Sequence, residues 1–236
     1  MTNYQPMKLL YLKLQRKGYE PSHVAEVGVY MPETSNIFDY IEAGVRTTLI
    51  EPDPASIQRI NDTFGNYSNV TLHPVAAYDF EGTLELSQRK ASTFVTQLDT
   101  SPAIINDGYI VSDEDQFTVD CTTFDTIDDG SIDLISIDTE GSEWFVIKYM
   151  TSRPDVISIE THGAVYKNPY LDDIEAWMQS NGYEVFFKDR SDSVYVRAGR
   201  INLSIGDNVA LIWRNLMLAL HRFRKRVTKG LRSKSR

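Results

Sequence analysis

The sequence predicts an α/β fold with a mostly parallel central sheet, helices on both faces of that sheet and an antiparallel hairpin near the C-terminus. Five short apolar runs, at residues 23–28, 47–51, 70–76, 133–138 and 156–160, alternate with segments of helical periodicity. This alternation is typical of right-handed βαβ units. The runs are apolar throughout rather than at every second position, which indicates strands that are covered on both faces.

The remaining elements follow from local signals. Apolar residues recur at helical spacing between Pro6 and Gly18, which predicts an N-terminal helix over 6–17. Residues 183–188 and 192–197 are joined by a short turn and predict the hairpin. Residues 89–116 have no clean period, and we expect them to form a lid or substrate loop. Helices are predicted between the strands at 34–43, 54–64, 142–149 and 170–181.

Length and composition fit a single domain. The chain has 236 residues, of which 42% are hydrophobic, enough for one full core. The single cysteine, Cys121, excludes an intrachain disulfide, and four cations interrupt the first 25 residues where a leader would be apolar. We therefore expect a cytoplasmic protein. No apolar run reaches the roughly 20 residues of a membrane-spanning helix.

Charge divides the chain into an acidic body and a basic tail. The whole sequence holds 24 cations and 33 acids, yet nine of those cations and no acid follow residue 213, so residues 1–213 carry a net charge of −18. We expect one domain over 1–206 and a basic amphipathic helix over 207–236. Residues 209–236 suit peripheral contact with an anionic membrane, or else a docked first half and a solvated end. The acidic body argues against nucleic-acid binding.

Two of the first strands end in residues suited to a nucleoside ligand. Gly28 permits close approach of the backbone, with Glu26 beside it; the alternative is simply a tight turn. Glu51 and Pro52 close the second run, 23 residues after Gly28, where Rossmann-like proteins bind ribose hydroxyls through a carboxylate. Asp53, before Pro54, fits the N-cap of the next helix.

The most specific segment is DLISIDTEGSE, residues 133–143, in which an apolar strand delivers several acids to one sheet edge. With the helix that follows, it resembles the signature of FkbM-type methyltransferases. EVGVYMPETS, LIEPDP, VTLHPVAAYDFEGTLEL and PDVISIETHG occur around it in the family's order. The resemblance covers residues 22–190. In the first motif the family usually has Asp-x-Gly-Ala-Asn-x-Gly, whereas Glu26, Tyr30 and Pro32 replace three of those residues here.

This resemblance implies a Rossmann-like methyltransferase fold and S-adenosylmethionine as methyl donor, with no metal expected. Glu26 and Gly28 would face its methionine part, Glu51 the ribose, and Asp138 the sulfonium. Cofactor-binding residues implied in the same way also include Tyr30, Pro52 and Ala77. The expected acceptor is a hydroxyl, as in the sugars of a polysaccharide or glycolipid.

A hydroxyl acceptor must lose a proton, and the candidate bases are Asp138, Glu140, Glu160 and His162. His162 has a suitable ordinary pKa, but a histidine in a loop is commonly a hydrogen-bonding residue. The same four side chains could instead hold a hard cation. A catalytically inactive adaptor that binds the cofactor or a glycan is the alternative function. A dehydrogenase is disfavoured because the Gly-x-Gly-x-x-Gly pattern is absent.

Overall fold

The computed structural model describes residues 6–89, 92–96, 98, 101, 104–105, 112, 115–163 and 166–233. Its centre is a seven-stranded sheet in the order β10-β11-β9-β8-β1-β2-β3. Six of these strands run in the same direction, and only β11, between β9 and β10, runs antiparallel to its neighbours. The predicted α/β, Rossmann-like fold with a C-terminal hairpin is therefore confirmed. The strands are β1 His23–Val27, β2 Arg46–Ile50, β3 Val70–His73, β8 Leu134–Ile137, β9 Val156–Glu160, β10 Tyr183–Lys188 and β11 Asp192–Arg197.

Helices cover both faces of this sheet, as the apolar strands require. Strands β1, β8 and most of β9 are buried at every position, which explains why they show no alternation. The two largest clusters of the core lie on opposite faces of the sheet; Val24 belongs to one and its neighbour Ala25 to the other. The helices are α1 Leu9–Gln15, α2 Phe38–Glu42, α3 Pro54–Phe64, α4 Glu143–Lys148, α5 Leu171–Ser180 and α6 Ile205–Ser233, with short 3-10 turns at Pro32–Thr34 and Phe124–Thr126.

A second sheet was not predicted. Its four strands are β4 Ala76–Ala77, β5 Gly82–Arg89, β6 Ser92–Val95 and β7 Gln116–Thr122, in the order β4-β7-β5-β6. The run 70–76 is therefore not one strand, since it is divided between the two sheets. The segment 89–116 contributes strand β6, so its description as an irregular loop was wrong for residues 92–95. Most of 97–114 lies outside the described residues.

The C-terminal segment forms one long helix, α6. It packs alongside β10, and the Lys17 ammonium forms an ion pair with Asp207 in its first turn. Within the part of the chain that the structure describes, no helix is both long and apolar enough to cross a membrane. The predicted division of the chain at residue 206 stays a prediction.

Candidate functional site

A cavity of about 260 Å³ lies at the carboxyl ends of β1, β2 and β8. Parallel sheets place ligands at this edge, since loops that follow neighbouring strands meet there. One wall is polar and comes from the ends of the central strands. The other is apolar and comes from the second sheet, through Ala77, Tyr78, Leu84, Phe94 and Val95. The unpredicted sheet thus completes the cavity.

Gly28 is fixed by a close approach of two strand ends. Its φ is +81°, and a Cβ atom built there would lie 1.8 Å from the main-chain oxygen of Asp138. Strand pairing enforces this contact, because the Asp138 N–H donates to the Val27 oxygen at 2.9 Å. Any side chain at residue 28 would separate β1 from β8, so the glycine is needed both for the turn and for the shape of the cavity.

Glu51 holds the loop after β1. One carboxylate oxygen accepts hydrogen bonds from the N–H groups of Val29 and Tyr30, both at 2.8 Å, and the other accepts from the Asp53 N–H at 3.0 Å. Burial raises the pKa of Glu51, and these donors counteract that rise. Pro52 and Tyr30 also line the cavity, so all the residues expected at this strand end meet there. Asp53 caps α3 as expected, because its side chain accepts from Ala55 N–H.

Glu26 holds the next part of the same loop. Its carboxylate accepts from the Ser35 hydroxyl and, at 2.8 Å, from the Asn36 N–H. Burial raises the pKa of Glu26 to about 7. The Asn36 amide then donates to Ser136 and to Asp192, at 3.1 and 3.3 Å, which links this loop to the hairpin.

Glu143 organises the turn after β8. Its carboxylate accepts from the N–H groups of Thr139 and Gly141, at 2.9 and 3.0 Å, and from the Asn168 amide. The turn needs this support because Glu140 adopts a φ of +54°, which non-glycine residues rarely do. Glu143 therefore shapes the cavity edge directly.

Asp138 and Glu160 differ from these bound carboxylates. No described residue donates a hydrogen bond to the Asp138 side chain, and Glu160 Oε2 is a buried atom without a described hydrogen-bond partner. Burial, followed by the charges of neighbouring acids, raises the pKa of both side chains well above the usual range. Asp138 lines the cavity and Glu160 lies behind it. Burial therefore makes both side chains stronger proton acceptors than exposed carboxylates.

His162 is placed differently from the other candidate bases. It does not line the cavity, and its ring nitrogens contact the Thr161 hydroxyl at 2.8 Å and the Asp189 oxygen at 3.3 Å. Burial lowers the pKa of His162 to about 4. The geometry therefore favours a structural role for this residue. Glu140 does line the cavity, beside Asp138.

The structure also narrows the metal alternative. Oxygens of Asp138, Glu143 and Glu160 lie within 4.8 Å of one another, whereas Glu140 and His162 are not part of this group. Glu143 already accepts three hydrogen bonds from the protein, and a cation would have to compete with those donors. The absence of a metal stays a prediction.

Asp192 and Asp189 are the two cavity acids that sequence reasoning missed, and Asp192 is the buried one. It is buried at the start of β11, it lines the cavity, and burial raises its pKa to about 6. Because β11 is antiparallel to β9, its first residue lies at the same edge as the last residues of the parallel strands. The predicted hairpin contained this information, but only the pairing of β11 with β9 brings Asp192 to the site.

Comparison with known proteins gives one family match. The profile of the methyltransferase FkbM domain matches residues 23–185. No curated protein sequence matches the chain significantly. Solved structures with a similar fold include the ribosomal protein L11 methylase of Lactobacillus delbrueckii subsp. bulgaricus, at 14% identity and TM-score 0.40 over 84% of this chain and 80% of that one. Fibrillarin of Aeropyrum pernix, solved with natively bound S-adenosyl-L-methionine, is 12% identical with a TM-score of 0.41. The match covers 79% of this chain and 73% of that one. Precorrin-6y C5,15-methyltransferase of Geobacter metallireducens is 14% identical with a TM-score of 0.38. The match covers 83% of this chain and 91% of that one.

Proposed function

Because the chain belongs to the FkbM methyltransferase family, we propose that it transfers the methyl group of S-adenosylmethionine to a hydroxyl oxygen. The observation that carries this proposal is the acidic lining of the cavity. Six carboxylates line it and no lysine or arginine is among its described lining residues: Glu26, Glu51, Asp138, Glu140, Asp189 and Asp192. Such a wall attracts a cationic sulfonium and ammonium and repels the phosphates of a dinucleotide.

The residues present fit this donor in three further respects. The hydroxyls of Thr93 and Thr139 are buried at the cavity without a described hydrogen-bond partner, so a polar ligand can satisfy them. Ala77 and Tyr78 offer an apolar wall to a flat heterocycle, as the resemblance implies for the adenine. Glu51, by holding the N–H groups of Val29 and Tyr30, fixes the loop that would face the ribose.

The donor supplies an activated methyl group. The chain must orient the acceptor, exclude water from the cavity and accept the proton of the acceptor hydroxyl. Asp138 is the best-placed proton acceptor, because it lines the cavity and has no described hydrogen-bond donor. Its raised pKa makes its carboxylate a stronger base than an exposed aspartate. Glu160, close behind Asp138, can share the proton, and Glu140 can accept a hydrogen bond from a second acceptor hydroxyl.

A sugar hydroxyl, in a polysaccharide or glycolipid, is the acceptor that we propose. Support comes from the family resemblance and from Glu140, Asp189 and Asp192, whose carboxylates line the cavity and suit a ligand with several hydroxyl donors. We also propose that the protein acts in the cytoplasm, since a buried free thiol such as that of Cys121 is common in proteins of a reducing compartment.

Incubation with S-adenosylmethionine carrying a labelled methyl group, in the presence of mono- and oligosaccharide acceptors, tests this function. We expect label in an acid-stable O-methyl ether, and an undiminished rate in EDTA. Tight donor binding with no transfer to any hydroxyl acceptor would favour the inactive adaptor instead. Failure of both the donor and its demethylated product to bind would contradict the proposal.

A further inference from the structure

Helix α6 is amphipathic, and its apolar side faces solvent. The side chains of Val209, Ile212, Trp213, Leu216, Met217 and Leu220 are 47–67% exposed, and we call them the apolar stripe. Their spacing of three and four residues places them along one side of the helix. An exposed apolar surface of this continuity marks a site of interaction, because isolated exposed apolar residues do not line up in this way.

The opposite side of α6 faces the domain. Asp207, Leu211, Arg214, Leu218 and Arg222 recur at the same spacing and are the partly covered positions of the described part of this helix. The Arg214 guanidinium donates to the main-chain oxygen of Asp189, and Asp207 pairs with Lys17. The helix is thus held to the domain by a side that is mostly polar. The domain does not cover the apolar stripe, which is therefore available to a binding partner.

Helix α6 lies next to the cavity. Arg214 contacts residue 189, in the β10–β11 loop, and that loop lines the cavity. From Arg214 to its end at Ser233 the helix measures about 28 Å at 1.5 Å per residue. Beyond Arg222, the sequence of α6 carries five cations and no acid: Arg224, Lys225, Arg226, Lys229 and Arg232.

We propose that the apolar stripe of α6 docks this protein on an anionic lipid surface, with the cations of the same helix among the headgroups. An apolar stripe together with a run of cations matches the two attractions of such a surface, hydrocarbon contact and negative potential. A second copy fits less well. In a parallel symmetric pair the two runs of cations would lie together and repel each other, and in an antiparallel pair each run would lie beyond the partner's stripe without an opposite charge.

Docking of this kind brings the cavity to acceptors carried by lipids. Because Arg214 of α6 is hydrogen-bonded to Asp189, in the loop that lines the cavity, a helix lying on a membrane holds that loop within about one helix diameter of the membrane. The inference goes beyond methyl transfer and does not depend on it, since lipid binding is measured without donor or acceptor.

Sedimentation of the full chain with vesicles tests the proposal. We expect binding to phosphatidylcholine vesicles that contain phosphatidylglycerol, weak binding to phosphatidylcholine alone, and loss of binding as salt is raised. Leu216→Glu and Leu220→Glu should each weaken partitioning at least about tenfold. Leu9→Glu is the matched control, because Leu9 is equally exposed, at 47%, and lies outside α6; it should bind like the unaltered chain.

Emission from Trp213 gives a second measurement. It should shift to shorter wavelength on anionic vesicles, and the shift should vanish in Trp213→Phe, while Trp144 and Trp177 remain. Vesicle binding that is insensitive to both α6 leucine substitutions would overturn the proposal. So would a chain that ignores anionic vesicles and forms a dimer that Leu216→Glu dissociates.

Discussion

Two groups of acids at the same sheet edge are used differently by this fold. Glu26, Glu51 and Glu143 accept hydrogen bonds from the main chain of the loops around the cavity. Asp138 and Glu160 have raised pKa values and lack described donors at the Asp138 carboxylate and at Glu160 Oε2. The first group holds the loops around the cavity, whereas we propose that the second group serves the ligand, Asp138 directly and Glu160 through Asp138. An acid at a strand end is therefore assigned a role by its donors, not by its position alone.

The largest effect is expected where the two groups are joined, at Gly28. Gly28→Ala places a methyl group against the Asp138 oxygen, so β1 and β8 must separate. We expect donor affinity to fall more than 100-fold, as measured by calorimetry. Gly199→Ala is the matched control, since Gly199 has nearly the same φ, +80°, with nothing within 4 Å. That variant should lose only ~1–2 kcal/mol of stability and keep its affinity. If both variants kept the same donor affinity, the contact between Gly28 and the Asp138 oxygen would not be required for donor binding.

Substitution of one acid from each group should separate activity from stability. Asp138→Asn removes a carboxylate that has no described donor, so we expect methyl transfer to fall at least ~100-fold with an unchanged or higher melting temperature. Glu143→Gln turns an amide nitrogen toward the Asn168 amide, which leaves two donors facing each other and should cost about 1–3 kcal/mol of unfolding free energy. Thermal melts and initial rates measure both. A melting temperature lowered more by Asp138→Asn would reverse the assignment.

The pH dependence of stability provides a further test within the first group. Because the pKa of Glu26 is raised to about 7, the folded state keeps a proton that the unfolded state loses near pH 4.5. Stability from this group therefore falls as pH rises from about 4.5 to 7, by ~3 kcal/mol at most. Glu26→Gln removes this loss, so its stability relative to the unaltered chain should improve from pH 5 to pH 8.

Asp129→Asn is the control for that experiment. Hydrogen bonds from Ser131 and Arg46 lower the pKa of Asp129, so its contribution is already complete at pH 5. Its effect in denaturant titrations should be the same at pH 5 and pH 8. A flat difference for Glu26→Gln as well would mean that residue 26 is ionised in the folded state throughout.

The smallest effect is expected at Tyr30, whose φ is +55° in the loop that Glu51 holds. The first motif of the FkbM family usually has asparagine at the position of Tyr30, and asparagine tolerates this conformation far better than tyrosine. Tyr30→Asn should therefore be more stable than Tyr30→Ala by about 1 kcal/mol in denaturant titrations, although both remove the ring. Equal stability of the two variants would show that the strain at residue 30 is relaxed.

Much of the central sheet could be predicted, because strands buried on both faces are continuous apolar runs such as LISI at 134–137. The second sheet could not, since β4 has two residues and β5 pairs with distant β7, a pairing with no local signal. The positions of Gly28, Glu51 and Asp138 followed from the order of strands. The donors that separate Glu143 from Asp138 did not, because they come from residue 168 and from a turn whose geometry only the fold determines.

We propose that Asp138, whose pKa is raised by burial, faces the sulfonium of the donor. Calorimetric titration at pH 7 with S-adenosylmethionine and S-adenosylhomocysteine, each in two buffers of different ionisation enthalpy, tests it directly. A cation beside Asp138 lowers its pKa, so the sulfonium donor should release protons on binding, the neutral product should release fewer, and Asp138→Asn should abolish the difference. Equal proton release for the two ligands, or a difference that survives in Asp138→Asn, would contradict the account.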